Sequence, residues 1–116
     1  MKKFPPVDTM LPLGAPMFHI LIALGDEAMH GYAIMQAIDE RSDGKVRLLP
    51  GTLYSTIKKM LALQLLEEID APPSAESEDE RRRYYRATKF GREVRAAETE
   101  RLSLLVRLAK GARVRA

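Results

Sequence analysis

A mainly α-helical fold with one small β-hairpin is predicted by three features of this chain. The segments before residue 65 carry apolar residues at helical spacing, two β-patterned segments flank a proline-containing acidic loop, and a long amphipathic segment follows Thr88. At 116 residues, with 46% hydrophobic and 30% charged side chains, the chain has the size and balance of one soluble globular domain. A core this modest gains from a partner subunit.

Residues 1–16 contain Pro5, Pro6, Pro12, Pro16 and Gly14, which remove backbone donors and resist helix, so an extended or loosely ordered arm is expected. The same prolines, with Asp8, interrupt the apolar stretch that a signal peptide would need after Lys2 and Lys3, and no export signal is read. From Met17 to Leu24 the run MFHILIAL, stopped by Gly25-Asp26, predicts a short helix buried on most sides. His30-Gly31-Tyr32 opens a second helix with His30 in a capping role, and Gly44 marks the turn after it. Lys45–Leu48 is expected to pair briefly as a strand.

The third helix spans Leu49–Gln64. Its inward stripe is Leu53, Ile57, Met60, Leu61 and Gln64, and its outer face is Thr52, Ser55, Lys58, Lys59 and Ala62. Pro50 suits a first helical turn, and Gly51 allows another surface to approach the backbone closely. Leu65–Ala71 then reads as a strand, followed by Pro72-Pro73 and the acidic run Glu76–Glu80, a loop that proline and like-charge repulsion are expected to keep mobile. Arg81–Ala87 returns as a strand with Arg81, Arg83, Tyr85 and Ala87 on one face and Arg82, Tyr84 and Arg86 on the other, and Tyr85 is expected in the core. Thr88 is a suitable N-cap for a final helix from Lys89 to about Ala109. Its stripe, Val94, Ala97, Leu102, Leu104, Leu105, Leu108 and Ala109, has Glu98 and Arg101 in the same sector, and a helix about 30 Å long overhangs so small a body. It reads as a dimer seam. The domains are therefore drawn as an arm (1–16), a helical domain with its hairpin (17–87), and a dimerisation helix with a basic tail (88–116).

Charge is segregated along the chain more than its net +3 suggests. Lys45, Arg47, Lys58 and Lys59 lie in a stretch with no carboxylate, an acidic block runs from Glu67 to Glu80, and Arg81, Arg82, Arg83, Arg86, Lys89, Arg92 and Arg95 face only Glu93. Such segregation points to basic surfaces aimed at an anion. Catalytic chemistry finds no support: cysteine is absent, His19 and His30 have no metal-ligand spacing, and neither a glycine-rich phosphate loop nor a GxSxG turn occurs. No catalytic residue, metal or cofactor is expected, nor is a membrane partner, because no apolar run reaches the roughly 20 residues that span a bilayer. The absence of cysteine suits the cytoplasm.

Helices followed by an arginine- and tyrosine-rich hairpin give the order of a winged helix-turn-helix. The combination HGYAIMQAI (His30–Ile38), LPGTLYSTIKKM (Leu49–Met60) and RRRYYRATKFGR (Arg81–Arg92) resembles the PadR family of bacterial transcriptional regulators, in its compact form with one C-terminal helix. The likeness runs from about residue 11 to 110. It implies a homodimeric repressor on an inverted-repeat operator of double-stranded DNA, with the dimer built from the last and first helices. On matching positions, Gly51, Thr52, Tyr54 and Lys58 approach DNA, the strand of Arg81, Arg82 and Arg83 forms the wing, and Tyr32 lies on the second helix, which crosses the backbone in such motifs. Met17, Phe18 and Leu21 would meet Val94, Ala97, Arg101, Leu102, Leu105 and Leu108 across the dimer. Two departures stand out. Leu49 occupies a place where the family often has serine, and Ala87 replaces a usual leucine, which predicts a looser seat for the wing.

Elementary chemistry points the same way. The hydroxyls of Thr52, Tyr54, Ser55 and Thr56 can donate to phosphates, Lys58 and Lys59 neutralise them, and Ser55 and Lys59 are centred for reading bases. The competing reading is a winged-helix protein-interaction module without DNA binding, whose third helix would show an apolar or acidic outer face; this one does not. A small hydrophobic or aromatic effector between the dimer's helices, near Met17, Phe18, Leu21, Leu102 and Leu105, is the remaining candidate ligand.

Overall fold

The computed structural model describes residues 4–71 and 83–115. Its helices are α1 (Ala15–Leu24), α2 (Gly31–Arg41), α3 (Pro50–Ala62) and α4 (Lys89–Arg115), and its strands are β1 (Met29–His30), β2 (Leu66–Ile69) and β3 (Tyr84–Ala87). The predicted class, mainly helical with a small sheet, is the one observed. The sheet is antiparallel in the order β1-β3-β2, with Leu66 opposite Ala87, Ile69 opposite Tyr84, and Met29 opposite Tyr85.

The third strand is not the one expected. Lys45–Leu48 is irregular, because Asp43 (φ 53°) and Gly44 (φ 76°) turn the chain and the Ser42 hydroxyl accepts the Val46 amide at 3.0 Å, taking a donor a strand would use. Met29–His30 fills the sheet edge instead. It is extended for only two residues before the backbone enters α2, where His30 Nδ1 accepts the Ala33 amide at 3.1 Å as the expected cap.

α3 stops two residues earlier than its apolar pattern suggests. Gln64 adopts φ 63°, its amide donates to Leu61 O at 3.1 Å, and the Leu65 amide donates to Met60 O at 2.9 Å, a left-handed C-terminal cap without glycine. That conformation costs a non-glycine residue about 1 kcal/mol. It is held by α4: Thr88 Oγ1 donates to Gln64 O at 2.7 Å while accepting the Gly91 amide at 2.9 Å. Gly91 has no alternative, since a methyl group there would collide with the Leu65 carbonyl oxygen.

Leu53, Ile57 and Met60 of α3 are fully buried against Ile20, Leu21 and Leu24 of α1, Ile34 of α2 and Val94 of α4. Leu21 and Val94, expected at a dimer interface, belong instead to the core of one protomer and offer no surface to another chain. The arm also differs from expectation. Pro6 O accepts both the amide (3.0 Å) and the hydroxyl (2.6 Å) of Thr9, closing a 3-10 turn over Val7–Met10 that packs on α4. Phe4 stacks on Phe90 at 5.1 Å and Leu13 is buried.

At 27 residues α4 is longer than anticipated, about 40 Å at 1.5 Å per residue. Its first turns bury Phe90, Val94 and Glu98, whereas Leu104 to Leu108 run past the body into solvent. The overhang accounts for a longest dimension of 59 Å and a radius of gyration of 16.1 Å, against about 13 Å for a compact chain of this length.

Candidate nucleic-acid interface

The outward side of α3 stands clear of the body. Thr52, Ser55, Lys58, Lys59 and Ala62 are all exposed, as expected from the spacing, and so are Gly51 and Tyr54. Among the described residues Lys58 and Lys59 have no carboxylate partner. Ser55 and Thr56 donate to Thr52 O at 3.1 and 2.7 Å, so at rest their hydroxyl protons are used inside the helix and their lone pairs remain available. A Cβ on Gly51 would meet nothing in this chain, so the fold itself does not require glycine there.

Tyr54 has a double position. Its ring lies on the first turn of α2, where a methyl group on Gly31 would fall 2.7 Å from the ring, yet the residue is about half exposed. Tyr54 and Lys58 also form one side of a cleft of about 380 Å³, with Arg83 and Tyr85 of the wing on the other. The structure thus brings three sequence-predicted residues, Tyr54, Lys58 and Arg83, to one place. Tyr32, also predicted, is half exposed on α2 and lines a second groove with Leu49 and Arg47.

Only part of the wing is described. Arg83 is largely exposed and lies 4.0 Å from Glu68, a loose contact that leaves its charge directed outward. Arg81, Arg82 and the acidic run Glu76–Glu80 lie outside the described residues. Arg86 faces away from this role, pairing with Glu67 at 3.3 Å. Tyr85 and Ala87 are buried and Arg86 is exposed, in keeping with the predicted alternation. Burial, then the nearby Glu68 carboxylate, pushes the Tyr85 hydroxyl above its usual pKa, so it stays neutral. Ala87 is 1% exposed and seated opposite Leu66, so the small residue closes the foot of the sheet. Tyr84 meets His30 edge-on at 5.5 Å.

Several arginines that the charge pattern grouped with the anion-facing set serve the fold instead. Arg95 donates to Leu21 O (3.1 Å) and Gly25 O (3.0 Å) and lies 3.7 Å from Asp26, capping the C-terminus of α1 from α4. Arg92 donates to Ala87 O at 3.1 Å. Sequence spacing gives no sign of either contact, since each joins elements far apart or around a turn.

The remaining predicted dimer residues lie on α1 and α4. Met17, Phe18, Ala97, Arg101 and Leu102 are half-buried and Leu105 and Leu108 exposed. Phe18, Leu102 and Val106 line an apolar groove of about 380 Å³ between α1 and α4. Beside it, Arg101 makes two bonds to the buried Glu98, at 2.7 and 2.9 Å. The Arg101 hydrogen bonds, helped by the Leu13 backbone amide, hold the Glu98 carboxyl below its usual pKa in spite of burial. Among the described residues no group of three His, Cys, Asp or Glu is placed to hold a metal ion, and no helix is long and apolar enough to cross a membrane.

Known proteins share this arrangement. A PadR family transcription regulator from hypervirulent Clostridium difficile superposes with a TM-score of 0.70 at 21% identity, covering 84% of this chain and 97% of that one. A transcriptional regulator from Clostridium thermocellum gives 0.68 at 23% identity, covering 83% and 87%, and H. salinarum RosR gives 0.62 at 21% identity, covering 90% and 98%. At these identities the likeness is one of fold. An uncharacterised 37.1 kDa protein of a Streptomyces fradiae transposon is 35% identical over 86 residues, 74% of this chain, which spans 22% of that relative's length. The family model described as "Transcriptional regulator PadR-like family" matches residues 20–97, from the second half of α1 into α4. A winged-helix body with this sheet, over that span of matching sequence, makes the chain a member of the PadR-like family of transcriptional regulators, a family of regulators and not of enzymes.

Proposed function

We propose that this protein is a cytoplasmic, DNA-binding transcriptional repressor that acts as a homodimer on an inverted-repeat operator. α3 enters the major groove, Tyr32 of α2 and the β2–β3 wing follow the phosphate backbone, and the overhanging end of α4 packs against α1 and α4 of a second copy. The observation that carries this reading is the outer face of α3: hydroxyls and two lysines, open to solvent, without a carboxylate partner among the described residues. A cationic face held on a rigid helix attracts a polyanion without first breaking an ion pair. The unfilled space over Gly51 supports a close approach by an outside surface.

The dimer rests on a separate feature. Leu104, Leu105, Val106 and Leu108, each about half exposed, sit on a helix that leaves its own core, and apolar area of this kind is stabilised by a partner. The groove lined by Phe18 and Leu102 would lie at that junction and is where a small hydrophobic effector would fit.

Footprinting the purified protein on the region upstream of its own gene, at about 50 and about 200 mM salt, tests the reading. The expected result is a protected inverted repeat with half-sites roughly 34 Å apart, or a multiple of that, lost at the higher salt. No protection at the lower salt, or a monomer by light scattering at micromolar concentration, would overturn it.

A further inference from the structure

Leu49 is the most exposed large apolar residue among those described, at 71%. It stands at the entrance to α3, where it occupies the N-cap position without any side-chain hydrogen bond to the first turn. Serine, threonine, aspartate or asparagine would accept a first-turn amide there; leucine forgoes that stabilisation and is not repaid by burial. Its surroundings are the groove with Tyr32, Met35, Gln36, Arg47, Leu48 and Pro50. The acid on that wall, Asp39, is taken by Arg47 at 3.4 Å. A methyl-bearing side chain therefore stands exposed at the leading end of the helix, next to the hydroxyls and cations of its outer face.

In helix-turn-helix proteins it is the N-terminal residues of the recognition helix that meet base edges. The major groove presents donors and acceptors at every base pair and a single kind of apolar group, the C5-methyl of thymine. We propose that Leu49 is a specificity-determining residue that packs on a thymine methyl, once in each half-site. This rests on the DNA-binding reading above. Lysines and hydroxyls of α3 supply affinity and register, and Leu49 adds a preference at one position.

The test uses the full chain and a pool of duplexes with a random stretch of about 25 base pairs, enough for two half-sites. Wild type, Leu49→Ser and Leu49→Met are each used for selection, and every thymine of the wild-type consensus is then replaced by deoxyuridine, which removes only the methyl group. For wild type, one thymine per half-site is expected to lose on the order of fourfold in affinity on replacement, the factor that corresponds to exposing one methyl group. Leu49→Met should keep that sensitivity. Leu49→Ser should lose it while keeping the salt dependence, with a melting temperature no lower than that of wild type, since serine supplies the cap that leucine forgoes.

Enrichment by all three proteins with the same deoxyuridine sensitivity, or with none, would overturn the assignment to Leu49 and leave DNA binding intact. Failure of wild type to enrich any duplex would instead overturn the DNA-binding reading, and this inference with it.

Discussion

Lys58 and Lys59 on α3 and Arg95 on α4 come from equally basic stretches of sequence, yet the fold uses them in opposite ways. Arg95 reaches across to two carbonyl oxygens at the end of α1, at 3.1 and 3.0 Å, and its side chain is only 22% exposed. The lysines extend into solvent. The planar guanidinium is suited to bridging helix-end carbonyls, which is what the neighbours of α4 provide; the outer side of α3 has no such neighbour. A run of positive charge thus says nothing by itself about where the charge is spent. Whether the element carrying it faces a helix terminus, a carboxylate or open water decides the matter.

The sharpest way to break this contrast is Lys58→Ala with Lys59→Ala. In the proposed homodimer the change removes four cations, so the proposed operator should be bound on the order of 100-fold more weakly, with a salt dependence shallower by up to about four units of slope. Fold stability should stay within about 0.5 kcal/mol, because both side chains are exposed and have no carboxylate partner among the described residues. Anisotropy titrations at several salt concentrations beside a thermal melt give both numbers. An unchanged slope would mean that these lysines are as idle towards DNA as they are towards the fold.

Arg95→Met should do the reverse. Methionine keeps most of the aliphatic stem and loses two charge-assisted bonds to the α1 terminus, so urea unfolding should show a loss of about 2 to 3 kcal/mol. Operator affinity and salt slope, measured where the variant is folded, should match wild type. The Asp26 contact adds little to that loss, since its carboxylate is 85% exposed.

The same division separates what the sequence makes legible from what it hides. Positions that answer to local periodicity are legible: Leu53, Ile57 and Met60 inward, Lys58 and Lys59 outward, Tyr85 in the core, and the caps at His30 and Thr88. Positions that depend on a distant partner are not. Leu21 and Val94 share a sector with residues suited to a dimer seam, and only the seating of α4 on α1 shows that they face their own core. The proline-rich arm reads as unstructured because a 3-10 turn held by Pro6 and packed on α4 leaves no periodic trace. Gln64 carries no sign of a left-handed cap, since glycine is the usual signal and here the clamp from Thr88 replaces it. In the site, the motif names Tyr54, Lys58 and Arg83, and the fold brings them to one cleft. It gives no hint that Tyr54 is also wedged against Gly31.

Glu98 and Arg101 give the smallest and most discriminating effect, because this pair lies where the core-facing half of α4 meets its overhang. The Glu98 side chain is 3% exposed and that of Arg101 is 33%, so the bond is anchored on one side and open to solvent on the other. Glu98→Gln keeps the shape but removes the charge, and with the guanidinium partly hydrated the loss should be only about 1 kcal/mol. The sign of its pH dependence follows from the lowered carboxyl pKa. The unfolded chain binds the proton first as pH falls, so the contribution is fully present above about pH 5 and disappears as pH drops through the folded value. Stability curves of wild type and Glu98→Gln should therefore run apart near neutrality and converge in acid. Curves that stay parallel down to about pH 3 would show that the carboxylate contributes by packing against Leu13 and the arm, with its charge irrelevant.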